Sequence, residues 1–162
     1  MKLLIDTITW TKLARLQNLD AFSSVQLYAW AEIQITHKVQ EELEYRRNTI
    51  WIKEKTQILP IKTARIYQDA LDLDFDEADA SILSNGSKEP DYFIVSEDRD
   101  LLRVACSYQF SAVQLIDLFR ILTALEHITR RDLYNLAKIL RELRNITEKK
   151  QKEIKSWLNE TP

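Results

Sequence analysis

A chain of 162 residues with 45% hydrophobic content can build one sizeable core and needs no second one. Its formal net charge of −2 excludes a protein that coats polyanions over most of its surface, and its single cysteine excludes an internal disulfide. The opening MKLLIDTITW places an acid inside what would be the apolar stretch of a signal peptide. No run approaches the ~18 apolar residues of a membrane span, so a cytoplasmic protein without a membrane partner is expected.

Lys2 to Ile5 is an apolar run without alternation, the pattern of a strand buried on both faces, and Asp6 ends it. Helices are predicted over Thr9 to Gln17 and Ala21 to Trp30, the second with Phe22, Val25 and Ala29 on one stripe. Glu32 to Ile35 reads as a short strand, and Thr36 as the N-cap of a helix from His37 to Arg47. Asn48 to Thr56 has no clean period. Ile58 to Ile61 is expected at a sheet edge, because Pro60 cannot donate to a central ladder. Lys62 to Leu71 and Asp76 to Ser84 read as helices separated by the acidic bend LDLDFD, and Gly86, the only glycine, marks the stop of the second.

Tyr92 to Val95 is the clearest strand. A helix from Arg99 to Tyr108, a strand Ala112 to Leu115 and a helix from Ile116 to Leu125 follow. Cys106 is expected to pack in the core. Thr129-Arg130-Arg131-Asp132 is a capping box opening a helix to about Asn145, and Thr147 can cap another reaching Leu158. The fold class is therefore α/β, a parallel sheet of about five strands flanked by helices with an α-helical C-terminal extension. The division falls at 1–125 and 126–162, with the extension expected to pack on the same domain. Residues 126–162 hold 9 Lys/Arg against 6 Asp/Glu, a balance of +3, which leaves −5 for residues 1–125.

Four acids stand where an α/β fold gathers ligands, outside the carboxyl ends of strands. Asp6 and Asp98 follow apolar strands; Glu42 and Asp79 lie in the first two turns of helices leaving the same edge. Carboxylates held together without basic partners call for a cation, and oxygen donors suit Mg²⁺ or Mn²⁺. Each acid also has a structural reading: Asp6 and Asp98 as helix N-caps, Asp76 and Asp79 at capping-box spacing, Glu42 as a solvated helix residue beside Glu41 and Glu44.

The segments LLIDTITW, VQEELEY, DEADASIL and IVSEDRDLLRVA resemble, in that order, the four acidic motifs of the PIN-domain family, which includes the toxin nucleases of VapBC-type pairs and other single-strand RNA nucleases. The resemblance covers about residues 1–120. It implies that Asp6, Glu42, Asp79 and Asp98 are the catalytic, metal-binding acids, with Asp100 and Ser96 in support. It further implies Mg²⁺ or Mn²⁺ as cofactor and single-stranded RNA as substrate. An antitoxin protein would be a partner if the chain is a toxin. Ile8 departs from the pattern, standing where a small polar residue often follows the first acid, and residues 126–162 extend beyond it.

Trp10, Trp30 and Trp51 are candidates for base stacking, Trp10 foremost because it follows Asp6. Arg99, Arg103 and Arg130-Arg131 could meet phosphates or serve in surface ion pairs. His37 and His127 are read as surface residues. The apolar spacing of Leu133, Leu136, Ala137, Leu140 and Leu143 fits packing within the chain first and a homodimer second. Two rival functions compete with an Mg/Mn-dependent endoribonuclease: a catalytically inactive PIN-like module that binds a protein partner, and a receiver-like or other doubly wound domain whose acids bind one Mg²⁺ for phosphoryl signalling.

Overall fold

In the computed structural model, which describes residues 1–160, the apolar run Lys2–Ile5 forms strand β1, and Leu3, Leu4 and Ile5 are fully buried. The other strands are β2 (Glu32–Thr36), β3 (Thr56–Leu59), β4 (Tyr92–Val95) and β5 (Ala112–Val113). They make one parallel sheet in the order β3-β2-β1-β4-β5. β3 is an edge strand, and Pro60 stands just past its end, as the missing N–H demands. β5 ends two residues earlier than expected, because Leu115 already begins a helix.

Between the strands run α1 (Thr7–Asn18), α2 (Val25–Trp30), α3 (His37–Tyr45), α4 (Ala64–Asp72), α5 (Glu77–Ser84) and α6 (Arg99–Ser107). The chain divides into two compact units, residues 1–114 and residues from Leu115 onward. The first holds the sheet and these helices. The second holds α7 (Leu115–Ala124), α8 (Arg130–Glu142) and α9 (Glu148–Glu160), so α7 groups with the tail. Within it Leu133, Leu136, Ala137 and Leu140 form the buried stripe of α8, which packs against α7 and α9. The capping box at Thr129 and Asp132 opens α8 with both reciprocal bonds present. No helix among the described residues is long and apolar enough to cross a membrane.

Several sequence expectations are corrected. Val25 and Ala29 face solvent, and α2 buries Leu27 instead; helix formation starts only at Val25, after Ser24 has been tied to Gln17. Cys106 is exposed: α6 buries Leu101 and Ala105, four residues apart on one face, and the next position turns outward. Trp10 is fully buried and Trp51 is 9% exposed, so neither offers a face to a base. Trp30 is half-buried. His37 and His127 are both exposed, as expected.

Gly86 follows α5 without needing a left-handed backbone. Its role is space: a Cβ there would lie 2.1 Å from the ring of Phe110, which stacks on Tyr108. Gly86→Ala is therefore expected to cost about 1–3 kcal/mol by overpacking, read as a lower urea midpoint at unchanged slope. An unchanged midpoint would mean the ring moves aside freely.

Helix ends use a different device. Arg47, Asp74, Gln109, Asp20, Glu126 and Arg144 take positive φ just beyond α3, α4, α6, α1, α7 and α8, where glycine is usual. Each closure is held by a backbone bond across the last turn, for example Asn48 N–H to Leu43 C=O at 2.9 Å and Phe110 N–H to Ala105 C=O at 3.0 Å.

Candidate active site

The strand order places the topological switch at the β1–β4 pair: from β1 the chain moves outward through β2 to β3, then returns past β1 to β4 and β5. Ligands of open α/β sheets bind at such a switch, outside the carboxyl ends of the strands. The receiver-like reading is overturned here, since that fold has the order 2-1-3-4-5. Asp6 follows β1 directly and Asp98 stands three residues past β4, so the two acids flank the switch.

Asp6 is 3% exposed and its position is fixed from both sides. Its Oδ1 accepts the Thr9 N–H at 2.6 Å, capping α1, and its Oδ2 accepts the Ser96 hydroxyl at 2.5 Å. Ser96 Oγ in turn accepts the Asp98 N–H at 3.1 Å, so one hydroxyl ties the end of β4 to the end of β1. Asp98 caps α6, its Oδ1 taking the N–H groups of Asp100 and Leu101 at 2.7 and 2.9 Å. Capping and ligand presentation are thus not alternatives: the cap bonds aim both carboxylates along the carboxyl edge.

The other acids arrive on helices of the crossovers. Glu42, half-buried in the second turn of α3, accepts a hydrogen bond from the Thr7 hydroxyl. Asp79 is half-buried in the first turn of α5, which Asp76 caps by accepting the Asp79 N–H at 2.8 Å. A bond of 2.6 Å between the hydroxyls of Thr36 and Ser81 links the end of β2 to α5. Asp6, Glu42, Asp76, Asp79 and Asp98 all line one cavity of about 180 Å³, together with Thr7, Ile8 and Arg46.

Electrostatics reports the same convergence. The Asp79 carboxyl is pushed up to about 7, first by burial, then by the charges of Asp76, Asp6, Asp98 and Glu42. The Asp6 carboxyl is also raised, chiefly by burial, against the lowering effect of its bonds from Ser96 and Thr9. Glu97, which adds to that rise, is paired with Lys12 at 2.6 Å.

A hard divalent cation fits the chemistry of this donor set, which is all-oxygen, anionic and partly desolvated. Each carboxylate keeps acceptor capacity beyond the two bonds drawn by Asp6 and Asp98 and the one drawn by Glu42. The acids share a cavity without being gathered into a shell: among the described residues no group of three or more carboxylate, imidazole or thiol side chains is arranged to hold a metal ion.

Asp100 is not brought to the cavity. It lies in the first turn of α6 and pairs with Arg103 at 3.2 Å on the surface. Thr7, Asp76 and Arg46 also line the cavity. Thr7 is legible from its place beside Asp6, Asp76 reads in the sequence only as a cap, and Arg46 follows Glu42 by one helical turn. Comparison of the chain with protein-family models, with curated proteins and with solved structures finds no significant match.

Proposed function

We propose that the chain is a metal-dependent endoribonuclease of the PIN type, hydrolysing phosphodiester bonds of single-stranded RNA at the cavity of Asp6, Glu42, Asp79 and Asp98. One observation carries the reading: carboxylates from four separate elements line a single cavity at the topological switch, where burial first and the neighbouring acids second push the Asp79 carboxyl up to about 7. Such an arrangement opposes folding unless it serves a cation. The choice of RNA, and a role as a toxin held by an antitoxin, rest on the motif resemblance alone.

Bound Mg²⁺ or Mn²⁺ would supply a lowered water pKa and charge neutralisation at the scissile phosphate. The residues of the chain prepare for this. Asp6 presents a carboxylate that Ser96 and the α1 N-terminus prevent from rotating. Thr7 orients Glu42. The Asp79 carboxyl, pushed up to about 7 chiefly by burial, would be favoured in its ionised form by positive charge in the cavity. Asp98 is exposed and lines the same cavity.

Thermal unfolding across a Mn²⁺ titration tests the site before any substrate is chosen. At ten times Kd the wild type should gain ~1.4 kcal/mol, about 3–6 °C in Tm for a chain of this size, and Asp98→Asn should lose most of the gain. A wild type that does not respond up to about ten millimolar Mn²⁺ defeats the reading and brings forward a PIN-like module that binds without catalysis.

A further inference from the structure

Beside the acidic cavity lies a second concavity of about 410 Å³, between α1 and the turn that follows α3. We propose that this groove, lined by Thr11, Asn18, Arg46, Arg47, Asn48 and Thr49, seats a backbone phosphate of a single-stranded polynucleotide whose neighbouring linkage lies among the acids. The identity of the ligand rests on the hydrolase reading; the groove itself does not.

Arg46 lines both the groove and the acidic cavity, so one side chain borders both. Several lysines of this region already have acidic partners. Lys12 pairs with Glu97, Lys38 with Glu41 and Glu77, and Lys53 with Glu44. Arg46 and Arg47 are exposed, and among the described residues neither forms an ion pair or a side-chain hydrogen bond. Arg46 is unpaired although Glu42 stands four residues before it, the spacing at which a helix normally joins opposite charges. Two free guanidinium forks in the groove, of which Arg46 also lines the carboxylate cavity, are suited to a ligand with negative charge next to, but not on, the acids. A polynucleotide backbone has that form: regularly spaced phosphates, one facing the acids and the next facing the arginines.

The groove is built on a fixed base. Trp51 Nε1–H donates to the Asn48 carbonyl at 3.0 Å, the Ile50 N–H to Asn48 Oδ1 at 3.2 Å, and the Ser24 hydroxyl to the Ile50 carbonyl at 3.1 Å. The side chains of Asn18 and Thr49 make no hydrogen bond among the described residues and can donate to phosphate oxygens.

The test is binding of a short fluorescein-labelled oligouridylate, followed by anisotropy in EDTA over a range of salt, so that no cleavage intervenes. Expected is a wild-type affinity that falls with salt, a loss of about tenfold in Arg46→Gln/Arg47→Gln, and a salt slope smaller by ~1 for each arginine removed. Arg65→Gln, an exposed arginine of α4 outside the groove, should change neither. Equal affinity and slope in wild type and double variant overturns the proposal, as does a wild type that does not bind. Mn²⁺-dependent cleavage, measured separately with Asp98→Asn as control, keeps the two readings apart. Binding through the arginines without cleavage sinks the hydrolase and leaves the groove; cleavage with unchanged binding in the double variant does the reverse.

Discussion

Replacing Asp79 by Asn is expected to make the metal-free protein more stable at pH 8, by about 2 kcal/mol, while leaving stability near pH 3 unchanged. Folding raises this carboxyl from 3.8 to about 7, first through burial and then through the neighbouring acids. Below about pH 3.8 it is protonated in both states and contributes nothing. Between 3.8 and 7 the unfolded chain releases the proton that the folded chain keeps, so stability falls as pH rises, and above 7 the full penalty applies. Each tenfold step is worth 1.36 kcal/mol, which would approach ~4 kcal/mol; partial solvent access reduces this to about half. The Asp79 side chain makes no hydrogen bond among the described residues for Asn to forfeit. Urea unfolding of both proteins in EDTA at pH 3, 5.5 and 8 decides the matter. An Asn variant that is no more stable at pH 8 would show that the carboxylates do not oppose one another.

The second large effect concerns catalysis. Asp6→Asn should lower Mn²⁺-dependent RNA hydrolysis by more than about 100-fold, because the amide keeps the shape and can still cap α1 but withdraws an anionic ligand. Ser96→Ala should lower it by about 10–100-fold, the usual cost of removing a group that orients a ligand, and mainly through weaker Mn²⁺ affinity. Raising Mn²⁺ should therefore restore much of the Ser96→Ala activity and little of the Asp6→Asn activity. If the two variants lose activity equally and neither recovers with metal, Ser96 does not act through Asp6.

Periodicity and capping made most of the scaffold legible. β1 and β4 were readable because both are short apolar runs ended by polar residues, and Thr36 and Thr129 cap the helices they precede. That Asp6, Glu42, Asp79 and Asp98 line one cavity accords with their positions at strand ends and in the first two turns of helices. What the pattern could not supply was depth and direction. Trp10 sits one turn from Asp6, yet its ring points into the core. Cys106 is one residue off the buried face of α6, a 100° rotation that apolar composition does not encode. Asp100 shares the first turn of α6 with the cap but faces Arg103. Arg46 and Arg47 acquire meaning only when the turn after α3 is placed against α1.

The β1–β4 pairing also sets when the site can exist. β1 is made first, but its partner on one side is β4, about ninety residues later in the chain, and the bond from Ser96 to Asp6 spans the same interval. During synthesis the Asp6 carboxylate must wait, without its hydroxyl partner, until Ser96 has left the ribosome. A nascent chain stopped anywhere before β4 has no assembled acidic cavity. The long-range pairing that slows folding therefore also acts as a timer, withholding the charged centre until nearly the whole sheet has been translated.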